Sequence, residues 1–390
     1  GTCHKTLKKE KMNRKAATVL SLILSSALVS AQMKSPEPII PVYPQLEDPD
    51  SFSMIMFGDA QSYVKFAATQ PLFDLQTAWI AQNADRLNIM TALLTGDLVE
   101  QNNKLIAGGL PDAVNGSQTS RQQWEAVSHS LSYLDGKVPY IACQGNHDIG
   151  YISAEHRYSQ MPDYVYPERN PLIMKHLVAT APNWQNVHTL ENAAYEFSDD
   201  VWGKILVLAM EFGPRDEILQ WASELISRPE YAQHKVIVLV HSFLLPDGTR
   251  IEDEKWYKVS PHNWPQAVWE KLVYPSKNIA LVLCGHTGTP PRIPAGSDVK
   301  DIDYSCTCGF REDEAADGHR IPQMMFNSQT NDGQWHGNGG DCWLRILEFK
   351  PDGKTISVRT FSPLFAISPI SADQAWRTAP YDQFEFTIDR

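Results

Sequence analysis

Beyond its first 31 residues the chain lacks any apolar run of bilayer-spanning length that is free of charge, so stable membrane insertion is not expected. Past those residues it also lacks a cluster of Lys and Arg. Asp and Glu (46) outnumber Lys and Arg (34), and the formal net charge is −12. Six of the basic residues lie before residue 16, so the remainder is more acidic still. A polyanion such as nucleic acid would be repelled by that field. Internal repeats and low-complexity tracts are absent, and one elaborated domain is expected. Cysteine is scarce: five remain past residue 31, an odd number that excludes a complete set of pairs. Cys143 and Cys284 end apolar runs, whereas Cys306, Cys308 and Cys342 lie in or beside Gly-rich loops. A disulfide among the last three and free thiols stay equally open.

The chain starts with a segment of a different kind. Met12-Asn13-Arg14-Lys15, the apolar Ala16–Val29 and the small residues Val29-Ser30-Ala31 have the order of a secretion signal. Residues 1–31 are therefore read as upstream residues and signal peptide, and the protein as exported, periplasmic or extracellular. Residues 32–50 are proline-rich and acidic, an extended leader. Residues 51–390 form the expected folded domain.

Within that domain, apolar runs predict buried strands at Phe52–Phe57, Ile89–Leu94, Val138–Cys143, Ile205–Met210, Val236–Val240 and Ile279–Cys284. Amphipathic helices alternate with them. One is carried by Leu72, Leu75, Trp79 and Leu87, a second by Trp124, Val127, Leu131 and Leu134, and a third by Ile218, Trp221, Ala222, Leu225 and Ile226. A fourth starts at Asn263 as cap and buries Val268, Trp269, Leu272 and Val273. After residue 322 only strands are predicted, and this tail is expected to complete a second sheet. Residues 149–200, 246–265 and 288–322 lack clear periodicity and are read as loops that cover a site.

Chemistry concentrates where the strands end. Gly58-Asp59-Ala60-Gln61, Gly96-Asp97, Gly145-Asn146-His147-Asp148, His241 and Gly285-His286 each follow an apolar run. Carboxylate, amide oxygen and imidazole suit Mn, Fe, Zn or Mg, and two such ions can clamp a phosphoryl group while one ionises a water. Asp97 would bridge the two ions. Asn146, His241 and His286 would complete one site, and Asp59 with the Gln61 amide oxygen the other. His147 follows a ligand directly and is the natural acid for a leaving-group oxygen.

These motifs resemble the calcineurin-like metallophosphoesterases, whose pattern is D-x-H, G-D-x-x-[D/E], G-N-H-[D/E], a later His and G-H-x-H. The resemblance covers roughly residues 51–390. It implies an α/β fold, a two-layer β sandwich flanked by helices (αββα), and a dinuclear centre of divalent ions. It also implies that His147 is oriented by the carboxylate of Glu100. Gln61 and Gly288 stand where the family pattern has His, and both losses fall on one metal site. The Asp59/Gln61 site is therefore expected to be oxygen-only and the weaker of the two. Gln101 stands where phosphoprotein phosphatases of the superfamily carry Arg, which leaves small phosphomonoesters or phosphodiesters as the expected substrates. The rival expectation is a non-catalytic secreted binding module that keeps the fold around one structural metal. Arg292, His319 and Trp335-His336 receive no role, and Asn115-Gly116-Ser117 matches a glycosylation acceptor.

Overall fold

Strands whose residues alternate between two buried faces build the centre of the molecule. In the strand Gly203–Ala209, Ile205, Val207 and Ala209 join one apolar cluster while Leu206 and Leu208 join another. A strand can bury both faces only when it lies between layers. The computed structural model describes residues 42–104, 116–288, 307–329 and 339–389.

Among these residues two seven-stranded sheets pack face to face. The first contains β1 (Phe52–Phe57), β2 (Ile89–Leu94), β3 (Tyr140–Ala142), β11 (Leu344–Phe349), β12 (Thr355–Phe361), β13 (Trp376–Arg377) and β14 (Phe384–Thr387). Its order is β13-β12-β11-β1-β2-β3, with β14 also on β12. β1, β2 and β3 run parallel, and β11 lies antiparallel to β1. The second contains β4 (Leu177–Pro182), β5 (His188–Asp199), β6 (Gly203–Ala209), β7 (Lys235–Leu239), β8 (Ile279–Cys284), β9 (Thr307–Glu314) and β10 (Arg320–Asn327). Its order is β4-β5-β6-β7-β8-β10-β9, and β6, β7, β8 and β10 are parallel.

Helices close the outer faces. Phe73 and Ile80 of α2 (Gln70–Gln82) and Trp124, Val127 and Leu131 of α3 (Ser120–Ser132) pack into the core cluster that holds the first sheet. A capping box of Thr119 and Gln122 starts α3. Ile218, Leu219, Ala222, Leu225 and Ile226 of α6 (Asp216–Ser227) cover Leu206, Leu208, Val236 and Val238 on the second sheet. Each such apolar side chain withdrawn from water contributes about 1.5–3 kcal/mol before entropy is counted. The result is the expected helix-flanked sandwich.

Several elements differ from the sequence reading. In α2 the buried face is Phe73, Gln76, Thr77, Trp79 and Ile80, so Trp79 is inside as expected while Leu72 and Leu75 are half-buried, and the helix stops at Gln82, before Leu87. Gln76 is inside because its amide donates to the Trp343 carbonyl at 3.0 Å. Asn263 does not cap the fourth helix, which starts at Pro265 after Trp264; its amide donates to the Pro214 carbonyl. The tail is divided: β10 joins the second sheet, but β11, β12 and β14 close the first. β4, β5 and β9 fall where loops were expected. β5 escaped detection because Glu191 and Asn192 interrupt its apolar run, and both serve buried hydrogen bonds to Gln144, Asn183 and Glu211.

Residues 42–50 lie against the first sheet, where the backbone N–H groups of Glu47 and Asp48 donate to the buried Glu348 carboxylate on β11. Cys143 and Cys284 are buried thiols, Cys342 Sγ meets the Leu72 carbonyl at 3.1 Å, and Cys308 Sγ lies 2.9 Å from Arg345 Nη2. Cys308 and Cys342 are thus not joined to each other. Cys306, Arg292, Trp335, His336 and Asn115, like residues 1–41, lie outside the described residues. His319 is buried against the Ile279 carbonyl, a structural contact.

Candidate metal centre

All six expected metal-ligand residues follow strand ends on one rim of the sandwich. Asp59 follows β1, Asp97 follows β2, Asn146 follows β3, His241 follows β7 and His286 follows β8, so both sheets contribute. Gln61 opens the short helix α1 (Gln61–Lys65). The turns that bring these residues together are tight. A Cβ on Gly145 would stand 2.2 Å from the Asp97 nitrogen, and one on Gly285 would stand 2.4 Å from Asp59 Oδ1. Asp97 (φ 48°) and His286 (φ 74°) occupy the left-handed region, a local strain of the kind that concentrates at functional sites.

Four donors converge on one point. His241 Nε2 lies 3.1 Å from Asp97 Oδ2, 3.0 Å from Asn146 Oδ1 and 3.0 Å from His286 Nδ1. The protons are accounted for elsewhere. His241 Nδ1 faces the Thr95 carbonyl at 2.7 Å, His286 Nε2 donates to Glu254 Oε1 at 2.6 Å, and Asn146 Nδ2 donates to Ser153 Oγ at 2.9 Å. Lone pairs of a carboxylate, an amide and two imidazoles therefore meet where only a cation relieves their repulsion. Burial acts to lower the His241 pKa, but Asp97 and Asp59 outweigh it and hold the ring up at about 10. A dication would replace that second proton. Asp97, His241 and His286 form a group able to hold a metal ion among the described residues.

The second half of the centre is thinner. Asp59 is fully buried and accepts from the His286 backbone N–H at 3.1 Å, Thr95 Oγ1 at 3.3 Å and Asn327 Nδ2 at 2.9 Å. Burial pushes its carboxyl up to about 6; Asp97 adds to the rise and His241 opposes it. Gln61 Nε2 donates to Glu100 Oε2 at 2.9 Å, and the Gln61 Oε1 on the other side of the same amide is buried with no partner. A carboxylate can only accept, so Glu100 fixes which way this amide faces. An orphaned, buried carbonyl oxygen beside Asp97 fits a hard cation.

The expected role of the Glu100 carboxylate is corrected by this geometry. It binds Lys65 Nζ at 3.0 Å and Gln61, not His147. His147 Nδ1 instead faces the backbone carbonyls of Glu100 at 2.7 Å and Ile152 at 3.1 Å. The neighbouring Asp148 carboxylate is spent on the backbone N–H groups of Leu98, Val99 and Gly145. With its proton on Nδ1, His147 turns Nε2 toward the cavity. Burial lowers the His147 pKa, but the charges of Glu100 and Asp97 outweigh it and the net displacement is upward.

Three participants were not legible in the sequence. Glu254, 1% exposed, holds His286 and accepts from Ser242 Oγ at 2.8 Å. It lies in the segment 246–265, where no periodicity or motif marked it. Asn327 ends β10 and braces Asp59. Arg157, Glu211 and Arg215 form a buried ionic group that also ties the Phe212 and Gly213 carbonyls, and the Phe212 ring rests 6.0 Å from His241 and 6.1 Å from His286.

The model of the calcineurin-like phosphoesterase family matches residues 55–290, well over half of the chain and all of the converging side chains. The chain belongs to that family. Membership implies metal-dependent phosphoesterase chemistry with divalent ions at this rim. Among curated proteins it is 24% identical over 316 residues to the uncharacterized protein YvnB of Bacillus subtilis, a match covering 80% of this chain and 20% of that protein. The chain thus spans about a fifth of that relative's length. Among solved structures it is similar to a dimetal phosphatase from Danio rerio, with 11% identity, TM-score 0.43 and coverage of 81% of this chain and 97% of that one. It is also similar to PhoD, with 9% identity, TM-score 0.42 and coverage of 88% and 71%.

Proposed function

We propose that this phosphoesterase hydrolyses small phosphomonoesters or phosphodiesters at the rim where Asp97, Asn146, His241 and His286 meet, with Asp59 and Gln61 holding a second, weaker ion. The observation that carries the reading is the convergence of three acceptors on His241 Nε2 at 3.0–3.1 Å. Bound divalent ions supply an ionised water and neutralise charge that develops on the phosphoryl oxygens. The chain's own residues do the rest. The Asn146 amide, fixed by Ser153, and the cavity walls orient the ester. His147 donates from Nε2 to the departing oxygen while its Nδ1–H keeps donating to the Glu100 and Ile152 carbonyls.

One observation favours the second reading, a secreted binding module with one structural ion. The Asp59/Gln61 half holds no imidazole, and Asp59 already accepts three hydrogen bonds. Elemental analysis beside hydrolysis of 4-nitrophenyl phosphate and bis(4-nitrophenyl) phosphate, with Mn, Fe, Zn or Mg added, separates the two. Turnover that rises with a second equivalent of metal supports the enzyme. One tight ion with no turnover under any metal supports the module.

We propose also that the protein is exported, on the strength of the charged and apolar pattern of residues 12–31. A secreted form starting at Gln32 is the expected product on N-terminal sequencing; an unprocessed intracellular chain refutes it. Among the described residues no helix is long and apolar enough to cross a membrane.

A further inference from the structure

The metal donors line a cavity of about 370 Å³ that is not wholly polar. Beside Asp97, Asn146, His147 and His286, its wall includes Leu245, Ile251, Trp256 and Tyr257. Single exposed aromatics are common on protein surfaces and usually carry no meaning. Trp256 is placed otherwise: 68% exposed, it stands on the wall of the cavity that holds the donors. Its support is rigid. The Trp256 ring lies 5.8 Å from that of Tyr257, which is wedged 5.3 Å from Phe212 and 6.1 Å from His286. A ladder of rings thus leads from a metal-ligating imidazole to an open indole face.

Charge sharpens the point. Among the described lining residues there is no Lys or Arg, while Asp97, Glu100 and Glu254 are all acidic. Among the described lining residues no cationic side chain adds to the ions' grip on the phosphoryl group, so a contact to the ester's organic part is a further source of binding energy. A flat apolar group is what an exposed indole takes up best, by stacking.

We propose that Trp256 forms a stacking subsite for a planar aromatic group on the phosphoester, an aryl ring or a nucleobase. The subsite rests on the phosphoesterase reading for its substrate and on the cavity wall for its geometry. Trp256 selects among esters; it takes no part in bond cleavage.

The test compares paired substrates that differ in flatness: phenyl phosphate against cyclohexyl phosphate, and adenosine 5′-monophosphate against ribose 5-phosphate. In metal-loaded W256A the KM ratio of cyclohexyl to phenyl phosphate, or of ribose 5-phosphate to the nucleotide, should fall about tenfold, the size of one lost stacking contact. W256F should restore most of it. The pair that responds identifies the aryl or the nucleobase source. A ratio unchanged in both pairs overturns the subsite. Should the wild type turn over none of these esters, hydrolysis fails but the wall is still measurable by calorimetry with phenylphosphonate and cyclohexylphosphonate. A phenyl preference lost in W256A then supports the subsite, and no preference in the wild type overturns it.

Discussion

In the proposed two-ion arrangement the two halves would share Asp97, and they are built on different principles. The half around His241 and His286 has two imidazoles, each with its outer nitrogen anchored, one to the Thr95 carbonyl and one to the Glu254 carboxylate. Anchoring of this kind fixes the tautomer and aims the free lone pair. The half around Asp59 and Gln61 has oxygen alone, and its amide is aimed by Glu100, itself braced by Lys65. Nitrogen donors lend affinity for transition metals, whereas an amide oxygen contributes a dipole without charge. In that arrangement the first half would retain its ion, and the second would bind one loosely.

Breaking the shared residue should have the largest effect. Asp97→Asn is expected to lose metal from both halves and to lose turnover altogether, as read by elemental analysis and steady-state rates; unchanged metal content and rate would refute the bridge. Next comes His147→Ala, where both ions should stay and kcat should fall by about a hundredfold to ten-thousandfold, the range for a general acid. Loss of metal in that variant would move His147 from proton donor to ligand.

Smaller changes sharpen the contrast between the halves. Glu254→Gln should weaken the tighter ion by about ten- to a hundredfold in titration, the usual cost of losing an outer carboxylate, and leave the weaker ion's affinity nearly as it was. Glu100→Ala should do the reverse by about tenfold, because Gln61 then loses the acceptor that turns its oxygen inward. An Glu100→Ala variant that matched His147→Ala in rate with both ions bound would reinstate the carboxylate as the orienting partner of His147.

How far this centre was legible follows from where its parts sit. Asp59, Asp97, Asn146, His241 and His286 were readable because each follows a continuous apolar strand, often with a glycine at the turn, and tight turns need that glycine. Glu254 and Asn327 were not readable, because a supporting residue needs only to reach one atom and leaves no spacing behind. Glu100 was found for the wrong reason: the family pattern marks the position, but only coordinates show its carboxylate on Lys65 and Gln61. The core strands of both sheets were plain from hydropathy. β5 was hidden by its buried Glu191 and Asn192, and the pairing of the tail with β1 depends on contacts almost 300 residues apart, which no local pattern encodes.

That distant pairing governs when the protein can become active during synthesis. Every donor has been made once residue 286 leaves the ribosome, but β1, which precedes Asp59, still has one hydrogen-bonding edge bare. Its missing neighbour, Leu344–Phe349, follows the last of those donors in the chain. Until then that edge invites pairing with other chains rather than capture of ions. A fragment holding the complete ligand set but lacking β11 would therefore be sticky before it was competent, and Leu344–Phe349 must be in place before the centre can be charged.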